Sequence, residues 1–160
     1  MKKLILFLVI IMSSILLHAQ VEVKGIQLGA THDGEDIVFT SLGGVEGALI
    51  LSKLNDGRIY LISFKPSEDG VDVSRIYSTE VEKLKNGLEK KYDIKFRKTS
   101  KSDYSDDYYL KANKDGVFYL CIVEENEYRD PSMTFSLLVY NDKLFELNKK
   151  EEQERADDDF

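Results

Sequence analysis

Two short turns constrain the fold of this chain more than any other feature. Asn55-Asp56-Gly57 separates the apolar runs 48–54 and 58–64, and Asn113-Lys114-Asp115-Gly116 separates 107–112 from 117–124. Asn, Asp and Gly accept the backbone twist of a tight hairpin, and the flanking Ile, Val, Phe and Tyr favour extended chain. Each turn therefore predicts an antiparallel strand pair formed locally. Alternation supplies further strands. Val21, Val23, Ile26 and Leu28 predict a first strand bent at Gly25, and 36–42 predicts a second strand or a short helical turn before Gly43-Gly44 and Gly47. Pro66 to Gly70 reads as a loop, with 71–76 extended beyond it. Tyr92, Ile94 and Phe96 alternate with Asp93, Lys95 and Arg97, the pattern of a strand with one wet face. Met133, Phe135, Leu137 and Val139 predict the last strand.

One segment departs from this period. Tyr77, Val81, Leu84, Leu88 and Tyr92 recur at helical spacing, and Thr79 with Glu82 reads as a capping box. The spacing predicts an amphipathic helix over about 79–91, its apolar stripe packed on a sheet. From Asp142 the spacing turns helical again through Leu144, Phe145 and Leu147. Residues 148–160 then form a charged C-terminal extension, which Glu151–Arg155 pairing can frame as a helix with little to bury. Strand runs joined by tight turns around one main helix make the expected class α+β: a mostly antiparallel sheet with helix cover.

Residues 1–19 have a different composition. Lys2-Lys3, the apolar run Leu4–Met12 and a small residue at Ala19 predict a secretory signal peptide cleaved before Gln20. The run is too short for a membrane span. The expected organisation is 1–19 signal peptide, 20–147 a single α+β domain and 148–160 the extension. Without the leader the chain keeps 20 basic and 29 acidic residues, a balance of −9. That balance disfavours a nucleic-acid partner, because phosphate binding rests on Lys and Arg. It leaves open a cationic partner, a neutral glycan or a bound cation. Cys121 is the only cysteine and lies in strand sequence, so no intramolecular disulfide and no lipid-attachment cysteine after the leader are expected.

Catalytic patterns are scarce. The exported part holds one histidine, His32, with Thr31, Asp33, Glu35 and Asp36 nearby. That group offers ligands to a cation, although a zinc site ordinarily draws on several His or Cys; a polar turn is the simpler account. No nucleophile elbow or phosphate loop is present, and no cofactor is expected. The densest polar-aromatic cluster is Ser102 to Tyr109. Tyrosine offers large contact area at low entropic cost, so Asp103, Tyr104, Asp106, Asp107 and Tyr109 are the expected partner-binding residues. Alternation turns Tyr108, Leu110 and Ala112 inward, and Tyr109 and Lys111 outward.

Lys24-Gly25-Ile26-Gln27-Leu28-Gly29, Leu88-Glu89-Lys90-Lys91-Tyr92 and Val139-Tyr140-Asn141-Asp142 resemble segments of small exported proteins of the Bacteroidetes. Those proteins are similar to the helix-plus-sheet modules of outer-membrane assembly lipoproteins and of secreted β-lactamase inhibitor proteins. The resemblance implies a binding scaffold and brings no catalytic residue with it. The expected function is an exported, non-catalytic binding or inhibitory module acting on an envelope or extracellular protein. The alternative is a small hydrolase of glycan or peptide using acidic residues or a metal at His32, Asp33, Glu35 and Asp36.

Overall fold

A computed structural model describes residues 21–68, 72–102, 105–125 and 131–158. Residues 1–19, read above as a signal peptide, lie outside the described residues, as do Gly70, Val71, Asp103, Tyr104 and Phe160. The described residues form ten strands and two helices: β1 (Glu22–Val23), β2 (Ile26–Gln27), β3 (Ile37–Leu42), β4 (Val45–Lys53), β5 (Ile59–Pro66), β6 (Ile76–Tyr77), α1 (Ser78–Tyr92), β7 (Arg97–Ser102), β8 (Ser105–Lys114), β9 (Val117–Glu125), β10 (Ser132–Asn141) and α2 (Asp142–Asp158). This is the expected α+β class.

The main sheet is antiparallel throughout, in the order β3-β4-β5-β10-β9-β8-β7, with β6 beside β10. Both hairpins form where the turns demand them. Gly57 N–H donates to the Leu54 carbonyl at 2.9 Å, and Asp115-Gly116 takes positive φ at both positions, as a two-residue turn between twisted strands requires. Gly43-Gly44 makes a third such turn, so 36–42 resolves as a strand. The joining of the two meanders is non-local: Leu137, Leu138, Val139 and Tyr140 of β10 pair with residues 61–64 of β5.

The core lies on one face of this sheet. Leu49, Leu51, Ile62, Phe64, Phe135, Leu137, Val139, Tyr119, Cys121, Val123, Tyr108 and Leu110 point inward, and Val81, Leu84 and Leu88 of α1 complete the same cluster. Each large side chain fully buried here contributes about 1.5–3 kcal/mol against exposure. Tyr92 ties the end of α1 down: its hydroxyl donates to the Glu22 carbonyl at 2.8 Å and its ring lies 5.1 Å from that of Tyr119.

Local differences from the sequence reading have plain causes. The first strand is a hairpin, β1–β2, because Lys24 and Gly25 both take positive φ. The helix starts one residue early, at Ser78, and the Glu80 carboxylate, not Glu82, accepts the Tyr77 N–H at 2.8 Å. Tyr77 therefore precedes the first turn and is 57% exposed instead of joining the stripe. Tyr92, Ile94 and Phe96 do not make a strand. Asp93 caps α1 in the left-handed conformation, Ile94 N–H bonds back to the Glu89 carbonyl, and extended pairing begins only at Arg97. α2 runs unbroken across 147–148, with Asn148 buried and the Glu151 carboxylate accepting the Asn55 N–H at 2.9 Å. Among the described residues no helix is long and apolar enough to cross a membrane.

Candidate functional site: a polarised outer sheet face

The second face of the sheet is only partly covered. α2 closes one end, where an aromatic row runs Tyr60–Phe145–Tyr140–Phe118 with ring centroids 6.1, 5.0 and 5.2 Å apart. Elsewhere this face is mostly half-exposed, with Ser63 of β5 buried. The strand registers place Ile37, Ile50, Ser63, Leu138, Leu120, Lys111 and Arg97 opposite one another in a single row across seven strands. The row is apolar at the β3 edge and cationic at the β7 edge.

At the β3 end, Ile37 is 47% and Phe39 61% exposed, and the strand Ile-Val-Phe-Thr-Ser-Leu carries no charge. The Asp36 carbonyl accepts the Leu51 N–H at 2.8 Å, so the even-numbered residues of β3 turn their backbone groups to β4. Ile37, Phe39 and Ser41 turn theirs to the open edge. Among the described residues, Ile37 and Phe39 thus present both apolar side chains and backbone donors and acceptors that pair with no strand.

At the β7 end, the strand Arg-Lys-Thr-Ser-Lys-Ser is exposed at every position. Beside it lies an open cleft of roughly 1290 Å³ reaching from the end of α1 to β10, with Lys90, Arg97, Lys111, Asn113, Phe118 and Leu120 in its wall. Two acids also line it, and both are engaged. Glu89 accepts the Phe96 N–H at 2.9 Å and pairs with Lys95 at 3.2 Å, while Asp93 pairs with Lys114 at 2.9 Å. These partners hold both carboxyls below their ordinary pKa: for Glu89 chiefly the Phe96 N–H, for Asp93 chiefly Lys114.

The expected binding patch is divided by the structure. Asp103 and Tyr104 lie outside the described residues. Asp106 is exposed. Asp107 is spent internally, accepting the Glu125 N–H at 3.0 Å and facing Lys101 at 3.6 Å, and Lys101 also pairs with Glu124. Tyr109 is half-buried on the outer face with the Lys111 ammonium 4.8 Å from its ring centre, whereas Tyr108 is buried. The group at 31–36 does not converge on a cation: Asp36 pairs with Lys53 at 2.6 Å, and the His32 ring lies against Gly34. Among the described residues no three His, Cys, Asp or Glu side chains gather to hold a metal ion. The Cys121 thiol is fully buried, which pushes its pKa up to about 12 and leaves it a packing group.

Sequence reasoning missed both ends of the polarised face. The uncharged run 37–42 was a signal for the first; the second has none, since residues 97, 111 and 118 meet only through strand register. Comparisons with protein-family models, with curated proteins and with solved structures found no match.

Proposed function

We propose that this chain is an exported, non-catalytic binding or inhibitory module that takes an extended segment of an envelope or extracellular protein onto the open edge of β3. The observation that carries this reading is the β3 edge itself. Ile37 and Phe39 are exposed together, without a charge in the strand, and their backbone groups face outward. A row of peptide N–H and C=O groups is best matched by another peptide backbone, so the chemistry of the edge selects a protein partner. Backbone pairing supplies affinity, and Ile37 and Phe39 offer the incoming side chains an apolar surface on the outer face. The segments that resemble exported binding scaffolds fall in β1–β2, at the end of α1 and at the β10–α2 junction, and include no residue of β3.

The test is capture from envelope extract on immobilised residues 20–160, comparing the parent with the double variant Ile37→Lys/Phe39→Lys. Lysines on an edge strand block pairing without disturbing the core. The partner should be lost on the double variant and kept on Thr99→Lys, the same change made on β7. Equal capture by a folded double variant overturns the reading.

A further inference from the structure

We propose a second binding site, independent of the β3 edge: the cleft at the β7 end holds a carboxylate-bearing oligosaccharide, its uronic-acid groups on Arg97 and Lys111 and its sugar rings against Phe118 and Leu120. Arg97 and Lys111 are register partners on adjacent strands, both exposed on the outer face. Like charges directly opposite each other destabilise a sheet. Protection of the edge explains cations on β7, but Lys111 is on β8, one strand in, where β7 already covers the edge. The repulsion is relieved when an anion lies between them. Lys111 rests against the Tyr109 ring at 4.8 Å, and among the described residues neither cation forms an ion pair with a carboxylate, the cleft's Glu89 and Asp93 pairing with Lys95 and Lys114. Lys90 of α1 adds a third cation where the cleft turns toward the core side of the sheet.

The rest of the wall narrows the ligand class. Lys111 stands opposite Leu120, and Asn113 opposite Phe118, so apolar side chains flank the cationic pair. Phe118 is backed by Tyr140, stacked at 5.2 Å with 8° between the rings. A ligand matching this surface carries spaced negative charges and a CH-rich face, and exposed amides at Asn86 and Asn113 suit its hydroxyls. At roughly 1290 Å³ the cleft is far larger than a single small anion needs. A nucleic acid presents a denser charge, for which binding proteins commonly supply 6–10 phosphate contacts, about two to three times the free cations here. Widely spaced carboxylates on sugar rings fit the few free cations and the apolar wall together.

Isothermal titration of residues 20–160 with a galacturonic-acid tetramer tests the site, with the neutral galactose tetramer and tetraglutamate as comparisons. Saturable binding of the uronate is expected, at least tenfold tighter than of either comparison and weakening as salt is raised. Arg97→Gln/Lys111→Gln should weaken it at least tenfold. Phe118→Leu, which keeps apolar volume but removes the ring, should weaken it several-fold. All variants are checked for unchanged circular dichroism, and Ile37→Lys/Phe39→Lys should bind the uronate like the parent. Absence of uronate binding, equal binding of the neutral sugar, or equal binding of tetraglutamate overturns the proposal; the last would make the cleft a site for acidic peptide.

Discussion

The two edges of one sheet differ in almost every property that governs association. β7 spends three of its six positions on Arg97, Lys98 and Lys101, and Lys101 is tied to Asp107 and Glu124 on the neighbouring strands. Such an edge repels a fourth party, since a pairing strand would have to desolvate those cations. β3 has no charge, exposes Ile37 and Phe39 on the outer face and turns their backbone groups to the open edge. A protein that needed only to stay monomeric would guard both edges alike. The asymmetry teaches that edge protection is available to this chain and is withheld at β3.

The largest effect should come from the strand that holds β3 in place. A Cβ at Gly47 on β4 would sit 2.3 Å from the Lys65 carbonyl oxygen and 2.7 Å from the Phe64 ring. The carbonyl is backbone and Phe64 is fully buried, so neither yields cheaply. Gly47→Ala should therefore cost about 3 kcal/mol in urea unfolding. Hydrogen exchange should show the loss first at β3–β4 and last at β9. Uniform loss across the sheet would mean that the two edges are not separately stable.

How much of this was legible depended on the range of the interaction. Asn55-Asp56-Gly57 and Asp115-Gly116 shape their own backbone, so both hairpins followed from four or fewer residues. The α1 stripe at Val81, Leu84 and Leu88 was equally local. At Tyr92–Phe96, alternation competed with a helix cap, and the left-handed Asp93 won. The pairing of β5 with β10 joins residues more than seventy positions apart and has no local signature. The cleft was hidden for a further reason: a chain whose formal net charge is −7 concentrates unpaired cations at one end, and a sum over residues conceals their placement.

Exchanging the character of the two edges sharpens the contrast with a smaller energetic change. Ile37→Lys/Phe39→Lys should alter folding stability by no more than about 0.5 kcal/mol, because both side chains are already exposed. Partner affinity should fall at least tenfold, about 1.4 kcal/mol. The converse variant, Arg97→Thr/Lys98→Thr, should gain concentration-dependent self-association by light scattering. A converse variant that stays monomeric would show that charge does not guard β7.

Cys121 offers a probe of which half opens. It lies on β9 between β10 and β8, fully buried, with its thiol held protonated at neutral pH. A disulfide reagent at pH 8 should label it only through opening of the β8–β9–β10 region. Gly47→Ala should accelerate labelling less than Leu110→Ala, although both variants are destabilised. Equal acceleration would place the two edges in one cooperative unit.

The smallest effect belongs to the joint that leads from α1 into β7. Glu89 receives the Phe96 N–H at 2.9 Å and the Lys95 ammonium at 3.2 Å, with its side chain 13% exposed. The Phe96 N–H, then Lys95, lowers its pKa from the ordinary 4.5 against the opposing influence of desolvation. The unfolded chain therefore binds this proton at higher pH than the folded one. Stability from Glu89 is present above pH 4.5 and is lost as pH falls through the lowered folded value. Glu89→Gln removes the titration, so the variant should be slightly less stable than the parent at pH 7 and nearly equal to it at about pH 3. Asp36 at the β3 end pairs with Lys53 through a carboxylate that is 62% exposed. A Glu89→Gln deficit that is the same at both pH values would mean that the carboxylate acts by shape alone, and the β7 joint would lose its electrostatic distinction from the β3 end.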